Sequence, residues 1–339
     1  MAERSKPFHR EEGSGARNLS ERICLIVNPR AGAGRAGREM ATLEYAVDRA
    51  FAQWVIRKTE GPRHAAELAA AAADEGFDLV AAVGGDGTAN EVVGGLMDGD
   101  NARSRKVTMA VVPFGTGADL IKTLGVPTAL TEALWIAATG ITLPCDVGHA
   151  RVTTADGPLE RHWINVAGFG VNGDVVLRAN KMSKRWGGTL TFLQASVRSM
   201  VEYKAPEVEV TWDGPDGPGR WLGKLTSAFV ANGAYCGGGM WVGKGGTMVD
   251  GYLNLTLLPE ASILRNALQS PALYTGHLDR VPGAVLVRAT QITAAPMIPG
   301  EVCIDLDGEM PGCLPAEFRV LPRVLNVRGG WTTNPLLNT

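Results

Sequence analysis

Apolar residues in the first 140 positions fall into short continuous runs separated by stretches of helical periodicity. Arg22–Asn28 (RICLIVN) is an apolar run of strand length that stops at Asn-Pro. Between Arg35 and Phe51, the residues Met40, Leu43, Val47 and Phe51 recur at helical spacing, and one helix is expected there. Trp54–Arg57 reads as a strand, His64–Glu75 as an alanine-rich helix and Leu79–Val83 as a buried strand. Ala89–Met97 follows as a helix, Val107–Val112 as a strand, and Asp119–Leu124 and Glu132–Ala138 as helices. Strands alternating with helices through short loops predict a parallel, helix-covered sheet, an α/β domain over 21–143.

Beyond Pro144 the pattern changes to strand-like segments: His149–Thr153, His162–Val166, Glu207–Trp212, Leu225–Ala231, Leu253–Leu258, Ala284–Ala289 and Val302–Leu306. Turn formers such as Asp213-Gly214-Pro215-Asp216-Gly217 separate several of them, which predicts an all-β domain over 144–315. One helix, with Leu190, Leu193, Val197, Met200 and Val201 on a stripe, is expected to interrupt it. The segment Phe318–Val327 could belong to either domain.

Composition removes several classes. A net charge of −2 gives no global field for nucleic acid, so any polyanion must be held locally. Five cysteines without a C-x-x-C pair, and five histidines without ligand spacing, argue against a zinc site and for a reducing compartment. No apolar run reaches the length of a membrane span. Residues 1–20 carry mixed charges and no apolar core, and read as a disordered tail rather than a signal peptide. A cytoplasmic protein is expected.

Candidate chemistry lies in three glycine-rich segments at strand ends, where an open α/β sheet binds ligands. Asn28-Pro29-Arg30-Ala31-Gly32-Ala33-Gly34-Arg35-Ala36-Gly37 contains G-x-G-x-x-G, the spacing of a dinucleotide fingerprint. Asn-Pro intervenes between strand and glycines, however, and no acidic residue ends a second strand at the expected distance. Backbone N–H groups beside Arg30 and Arg35 suit a phosphate in either case. Gly84-Gly85-Asp86-Gly87-Thr88 follows a buried strand and opens a helix bearing Asn90 and Glu91. It reads equally as a capped strand-to-helix turn or as a phosphate cradle in which Asp86 meets a bridging cation or a hydroxyl. Pro113-Phe114-Gly115-Thr116-Gly117-Ala118-Asp119 repeats the arrangement on a further strand. Three such turns together describe one anion pocket.

Taken in order, NPRAGAGR, GGDGTANEVVGGL, PFGTGADLIKTLGVP, MVDGYLNL and DLDGE resemble the diacylglycerol-kinase catalytic family, which includes sphingosine, ceramide and bacterial lipid kinases. The resemblance covers about residues 22 to 328. It implies a nucleotide-binding α/β domain of the NAD-kinase/diacylglycerol-kinase type, a β-sandwich, and an active site in the cleft between them. It also implies that the chain end, 316–330, returns to the first domain. By resemblance ATP would lie on Gly84, Gly85, Gly87 and Thr88, with Asn28, Gly32, Arg35, Asn90, Gly115, Thr116, Gly117 and Asp119 completing the pocket. Asp307 would be the general base, Asp86 the other candidate, and Glu309 would help to hold Mg²⁺. Asp250, with the backbone near Thr247 and Tyr252, matches a structural Mg²⁺ loop of the family.

Two positions depart from the family pattern: Ala118 stands where Asn is usual, and Asn172 where Asp is usual. Gly238–Gly245 nearly spells a P-loop but lacks the terminal Ser or Thr, and matches the family's glycine segment on a sandwich loop. The resemblance implies a lipid substrate and therefore peripheral membrane contact. Lys181–Tyr203, with Lys181, Lys184, Arg185, Trp186, Phe192 and Leu193, either borders an acyl-chain entrance or packs on the sandwich. A homodimer is a further expectation from relatives. A soluble-metabolite kinase of the NAD type, and a nucleotide-responsive regulatory protein, are the competing function classes.

Overall fold

The computed structural model describes residues 21–114, 119–181, 194, 198–199, 202–298 and 300–331. The tail 1–20, the segment Gly115–Ala118 and the stripe Leu190–Val201 therefore lie outside the described residues, apart from Gln194, Arg198 and Ser199.

Four parallel strands form the centre of the first domain in the order Gln53–Lys58, Arg22–Val27, Leu79–Gly84, Thr108–Pro113. Ile23, Leu25, Leu79, Val80 and Val83 are fully buried because helices cover both faces, which explains the unbroken apolar runs. The expected helix from Arg35 is in fact two, Ala31–Arg38 and Met40–Ala50. The first contains positive φ angles at Gly32, Ala33 and Gly34, so the glycines wind a loop before a helix can begin. Leu43, Val47 and Phe51 still face the core as the periodicity requires.

The alanines of His64–Asp74 have a specific use. Ala65, Ala69, Ala72 and Ala73 are buried against Asp86–Leu96, the helix that begins inside the GGDGT turn. A Cβ placed on Gly95 would lie 2.0 Å from the Ala66 carbonyl oxygen, so the two helices touch backbone to backbone. Glu91 reaches across this contact and accepts from the Ala65 N–H (3.1 Å), capping the neighbouring helix.

The second domain is a β-sandwich. One sheet pairs Ile141–Thr154 with Gly157–Trp163 and Cys313–Gly329, and continues through Gln291–Pro296, Glu207–Asp213 and the first half of Gly219–Ala231. A bulge between Leu225 and Ser227 turns Gly219–Ala231 into the other sheet, with Val166–Gly170, Ile304–Leu306, Leu253–Pro259 and Val285–Ala289. Between them Phe169 stacks on Phe318, and Trp163 meets Phe318 edge to face.

Two expectations need correction. The strand expected at His162–Val166 is split, because Ile164 and Asn165 leave the sheet to hold a carboxylate. Two helices in this domain, Val171–Lys181 and Ile263–Thr275, also interrupt the expected all-β pattern. The second was legible: Ser262 accepts from the Arg265 N–H as N-cap and Gly276 is a left-handed C-cap, but Pro271 obscured the periodicity.

Cys313–Gly329 is shared between the domains. Phe318 belongs to the sandwich core, while Leu325 and Val327 belong to the α/β core, where Asn326 and Val327 pair parallel with Thr108 and Met109. Its antiparallel partner Ile141–Thr154 follows it throughout.

Replacing Gly95 by Val drives a side chain into the Ala66 carbonyl. We expect a loss of roughly 2–4 kcal/mol of stability, read as a lowered unfolding midpoint in denaturant.

Candidate active site in the interdomain cleft

Three loops of the first domain are knitted to one another. Asn28 accepts from the Arg30 N–H through Oδ1 (3.0 Å) and donates from Nδ2 to Thr88 Oγ1 (3.3 Å), joining the first glycine segment to the second. The Phe114 N–H donates to the Gly84 carbonyl (2.8 Å), and a Cβ on Gly32 would sit 2.3 Å from the Phe114 carbonyl oxygen. Arg35 lies over the Phe114 ring at 5.3 Å. A Cβ on Gly84 would collide with Thr88 Oγ1 at 2.4 Å, whereas one on Gly87 would meet no atom of the described residues within 4 Å. The second turn is thus tightly wound, with one unobstructed backbone face at the start of a helix, where N–H groups and the helix dipole favour an anion. Gly115, Thr116 and Gly117 lie outside the described residues, as does Ala118.

Asp86 points away from that face. Its carboxylate accepts from the Asp119 N–H (3.2 Å) and the Leu120 N–H (3.4 Å) at the start of the next helix. Asp119, itself buried, accepts from Lys122 Nζ (2.7 Å) and from the Gly238 N–H (2.7 Å). The second contact joins the domains, and it gives the near-P-loop segment a role that the sequence did not reveal.

Asp307 enters from the sandwich. Glycine-like backbone geometry (φ 50°) turns its carboxylate onto three consecutive N–H groups: Ile164 (2.8 Å), Asn165 (3.1 Å) and Val166 (2.8 Å). The amide nitrogen of Asn90, in the orientation that satisfies its neighbours, reaches Asp307 Oδ2 (3.1 Å) and the His162 carbonyl (3.2 Å). Asn90 comes from the helix that begins at Asp86, so the two domains meet at this carboxylate. Burial pushes Asp307 up to about 7 against the pull of those N–H groups, and the Asp86 charge adds to the rise. Burial likewise raises Asp86, with the Asp119 charge contributing.

The structure adds Asp305 to the site, a residue that only the alternation Asp305-Leu306-Asp307 marks in the sequence. Burial raises it to about 8, helped by the charges of Asp307 and Glu309; only the Gly308 N–H (2.7 Å) opposes this. Glu309 differs from the rest. Its side chain is exposed and makes no hydrogen bond or ion pair among the described residues. Partial desolvation and the Glu91 charge raise its pKa, while Arg161 and Arg63 lower it. Asp305 and Asp307 ionise near 4 in an unfolded chain, so the fold loses stability as pH rises from there towards 7 and 8. A cation in the cleft would offset that loss.

Asp250, Thr247 and Tyr252 do come together. The carboxylate accepts from the N–H groups of Thr247 (3.4 Å) and Tyr252 (3.1 Å), and its cationic partner is Arg288 (2.9 Å), which also lies over the Tyr252 ring at 4.3 Å. Arg288 supplies the positive charge that the family's metal would supply, so this loop does not fit an added cation. Asn172 has a physical reason for departing from Asp. Its Nδ2 donates to the Ala228 carbonyl (2.9 Å) while its Oδ1 accepts from Ser227 Oγ (2.9 Å), and a carboxylate could make only the second bond.

Two substitutions test these assignments. Asn172→Asp sets an anion against the Ala228 carbonyl and is expected to cost about 1–3 kcal/mol at neutral pH, less where the carboxyl is protonated. Arg288→Ala is expected to lower Tm by about 1–3 °C, and by the same amount with and without a chelator. Thermal scans with and without chelator read both.

Comparison with known proteins agrees with this architecture. A model of the diacylglycerol kinase catalytic domain matches residues 22–150, and one of the YegS C-terminal NAD kinase beta sandwich-like domain matches 165–329. The diacylglycerol kinase of Bacillus subtilis (strain 168) is 26% identical over 308 residues, covering 91% of this chain and 96% of that protein. A protein of Xanthomonas axonopodis pv. citri (strain 306) named "Probable lipid kinase YegS-like" is 27% identical over 265 residues, covering 76% and 82%. The crystal structure of a diacylglycerol kinase from Bacillus anthracis str. Sterne shares the fold, with a TM-score of 0.66 at 22% identity, covering 91% of this chain and 97% of that one. With both domains matched in their order along the chain, the protein belongs to the diacylglycerol kinase catalytic-domain family and is a phosphotransferase that acts on an alcohol.

Proposed function

We propose that this protein is an ATP-dependent lipid kinase that transfers the γ-phosphate to the free hydroxyl of a diacylglycerol, giving phosphatidic acid. The observation that carries the reading is the meeting of Asp86 and Asn90 from the phosphate-loop helix with Asp307 from the sandwich. That meeting sets a nucleotide face from one domain against carboxylates from the other. Phosphoryl transfer asks for this: positioning, charge neutralisation and a proton acceptor on the attacking hydroxyl. Two relatives are named for lipid kinases, which supports a lipid acceptor over a soluble metabolite.

Among the carboxylates, Glu309 suits the proton acceptor better than Asp307. The oxygens of Asp307 already accept from three backbone N–H groups and Asn90, leaving no lone pair aimed at a substrate. Asp307 instead fixes the hairpin and holds negative charge at the cleft floor. Gly308, with φ 88°, then turns Glu309 outward, free to accept a proton. Its raised pKa makes it a stronger base than an ordinary carboxylate.

No three acidic, histidine or cysteine side chains form a ready metal cage among the described residues. Mg²⁺ characteristically binds through one or two carboxylates together with nucleotide phosphates, and Asp86, which accepts from two backbone N–H groups, would be the carboxylate to hold it. Bound there, it would neutralise the transferring phosphoryl group. None of the described helices is long and apolar enough to cross a membrane, so we place the contact with lipid at the surface of the bilayer.

The test is transfer of label from γ-labelled ATP to diacylglycerol, monoacylglycerol, sphingosine and ceramide in mixed micelles. Label in diacylglycerol is expected; label only in a water-soluble acceptor such as NAD would overturn the reading. Glu309→Gln is expected to lower kcat about 10²–10⁴-fold while nucleotide binding persists. The unmutated enzyme should gain kcat/KM as pH rises, on a limb above the ordinary carboxylate range that Glu309→Gln abolishes.

A further inference from the structure

The helix Ile263–Thr275 covers one end of the sandwich but leaves an apolar stripe bare. Leu264 is 71% and Leu268 is 73% exposed, and with exposed Pro271 they follow i, i+4, i+7 spacing on one outward face. Tyr274, 56% exposed, flanks the stripe. Leucines this exposed, aligned on a capped helix, need a partner surface to account for them. The inner side of the helix is accounted for, since it packs on Met240–Trp241, and a Cβ on Gly276 would lie 2.6 Å from the Trp241 ring.

Charge around the stripe is biased. Arg265 borders it, Arg280 is exposed just beyond its C-terminus, and Lys244 lies over the Trp241 ring at 5.7 Å. The nearby carboxylates are Asp279 and Glu260, and Glu260 is paired with Lys224 (3.5 Å). Apolar side chains rimmed by cations match the interface of an anionic bilayer, where leucines enter the acyl boundary and arginine and lysine meet headgroups.

Position relative to the cleft strengthens the case. Trp241 stacks on Tyr235 at 5.9 Å, and the Tyr235 carbonyl accepts from Asn165, one of the residues that hold Asp307. On the same short hairpin, the Gly238 N–H donates to Asp119 beside Asp86. One hairpin thus separates the helix from the active-site carboxylates, which places the stripe in the neighbourhood of the cleft.

We infer that the Leu264–Leu268–Pro271 face of this helix docks the enzyme on anionic lipid bilayers and brings the cleft mouth to its substrate. The inference rests on the lipid-kinase reading for its purpose, though not for its test. Leu264→Gln/Leu268→Gln changes two exposed positions to good helix formers, and an unchanged circular dichroism spectrum and Tm verify folding. Flotation with vesicles of equal phosphatidylglycerol and phosphatidylcholine should show binding of the unmutated protein, weakened about tenfold or more in the variant and reduced by salt.

Turnover is read separately on a short-chain diacylglycerol dissolved as monomers. Equal rates for both proteins, with vesicle binding lost only in the variant, support the inference. Vesicle binding unaffected by the double substitution overturns it and leaves the kinase reading intact. Stripe-dependent vesicle binding without phosphorylation of any lipid supports docking and overturns the kinase reading instead. If neither protein binds vesicles and the substitution converts a dimer to a monomer in sedimentation, the stripe is a self-association surface and the inference fails.

Discussion

Asp146 is fully buried at the point where the ribbon of Ile141–Thr154 and Cys313–Gly329 passes from one domain to the other. Its carboxylate accepts from the Arg323 N–H (2.8 Å), inside the bulge that shifts the ribbon's register, and from the Gly251 N–H (2.7 Å). Burial, with the neighbouring Asp250 charge, raises its pKa. The backbone of Asp146 is equally committed: its N–H donates to Met248, and its carbonyl accepts from Asn232 Nδ2 (2.9 Å). Asn232, also buried, donates to the Ile164 carbonyl (2.6 Å), and its own N–H donates to the Asn165 carbonyl. The hinge is therefore linked by one side chain to the three N–H groups that grip Asp307. Because buried polar groups left unpaired are costly, this network fixes the two domains at one separation and fixes the cleft floor with it.

Within that frame the cleft gathers negative charge that its own cations do not balance. Asp86, Asp305, Asp307 and Glu309 all have raised pKa values; burial is the first cause for the inner three, and partial desolvation for the exposed Glu309. Lys122 is paired with Asp119 and is the cation that acts on Asp86, while Arg63 and Arg161 act on Glu309. A site of this kind costs stability without ligand and recovers it when a cation and a polyphosphate arrive together. In the proposed reading, that arrangement would favour a nucleotide–metal complex over either component alone.

Most of the α/β domain could be read from periodicity, because buried parallel strands and amphipathic helices write their faces directly into the sequence. The glycine turns were legible for the same reason, since close backbone approach leaves glycine as the residue that fits. What could not be read were relations between distant segments. Nothing in Ile164-Asn165-Val166 announces that its N–H groups will hold a carboxylate some 140 positions away. Neither does Gly238 announce Asp119, or Arg288 announce Asp250. The grip on Asp307 is the observation behind our proposal of Glu309 as proton acceptor, a distinction that the motif Asp-Gly-Glu cannot make. Asp305 lies outside that motif, and only its alternation with Leu306 and Asp307 marks it in the sequence.

The family departure at Asn172 shows how a local exchange can be neutral for chemistry and decisive for packing. A Cβ on Gly168 would stand 2.8 Å from Asn172 Nδ2, so the amide is held tightly against the paired strands Val166–Gly170 and Gly219–Ala231. There it needs one donor and one acceptor, and asparagine has both in fixed geometry. An aspartate at this position would require a cation or a proton to face the Ala228 carbonyl. In this chain the amide removes that need, just as Arg288 removes it at Asp250. Both places substitute the protein's own hydrogen-bond donors for an external charge, which leaves the cleft carboxylates as the centre with an unmet demand for a cation.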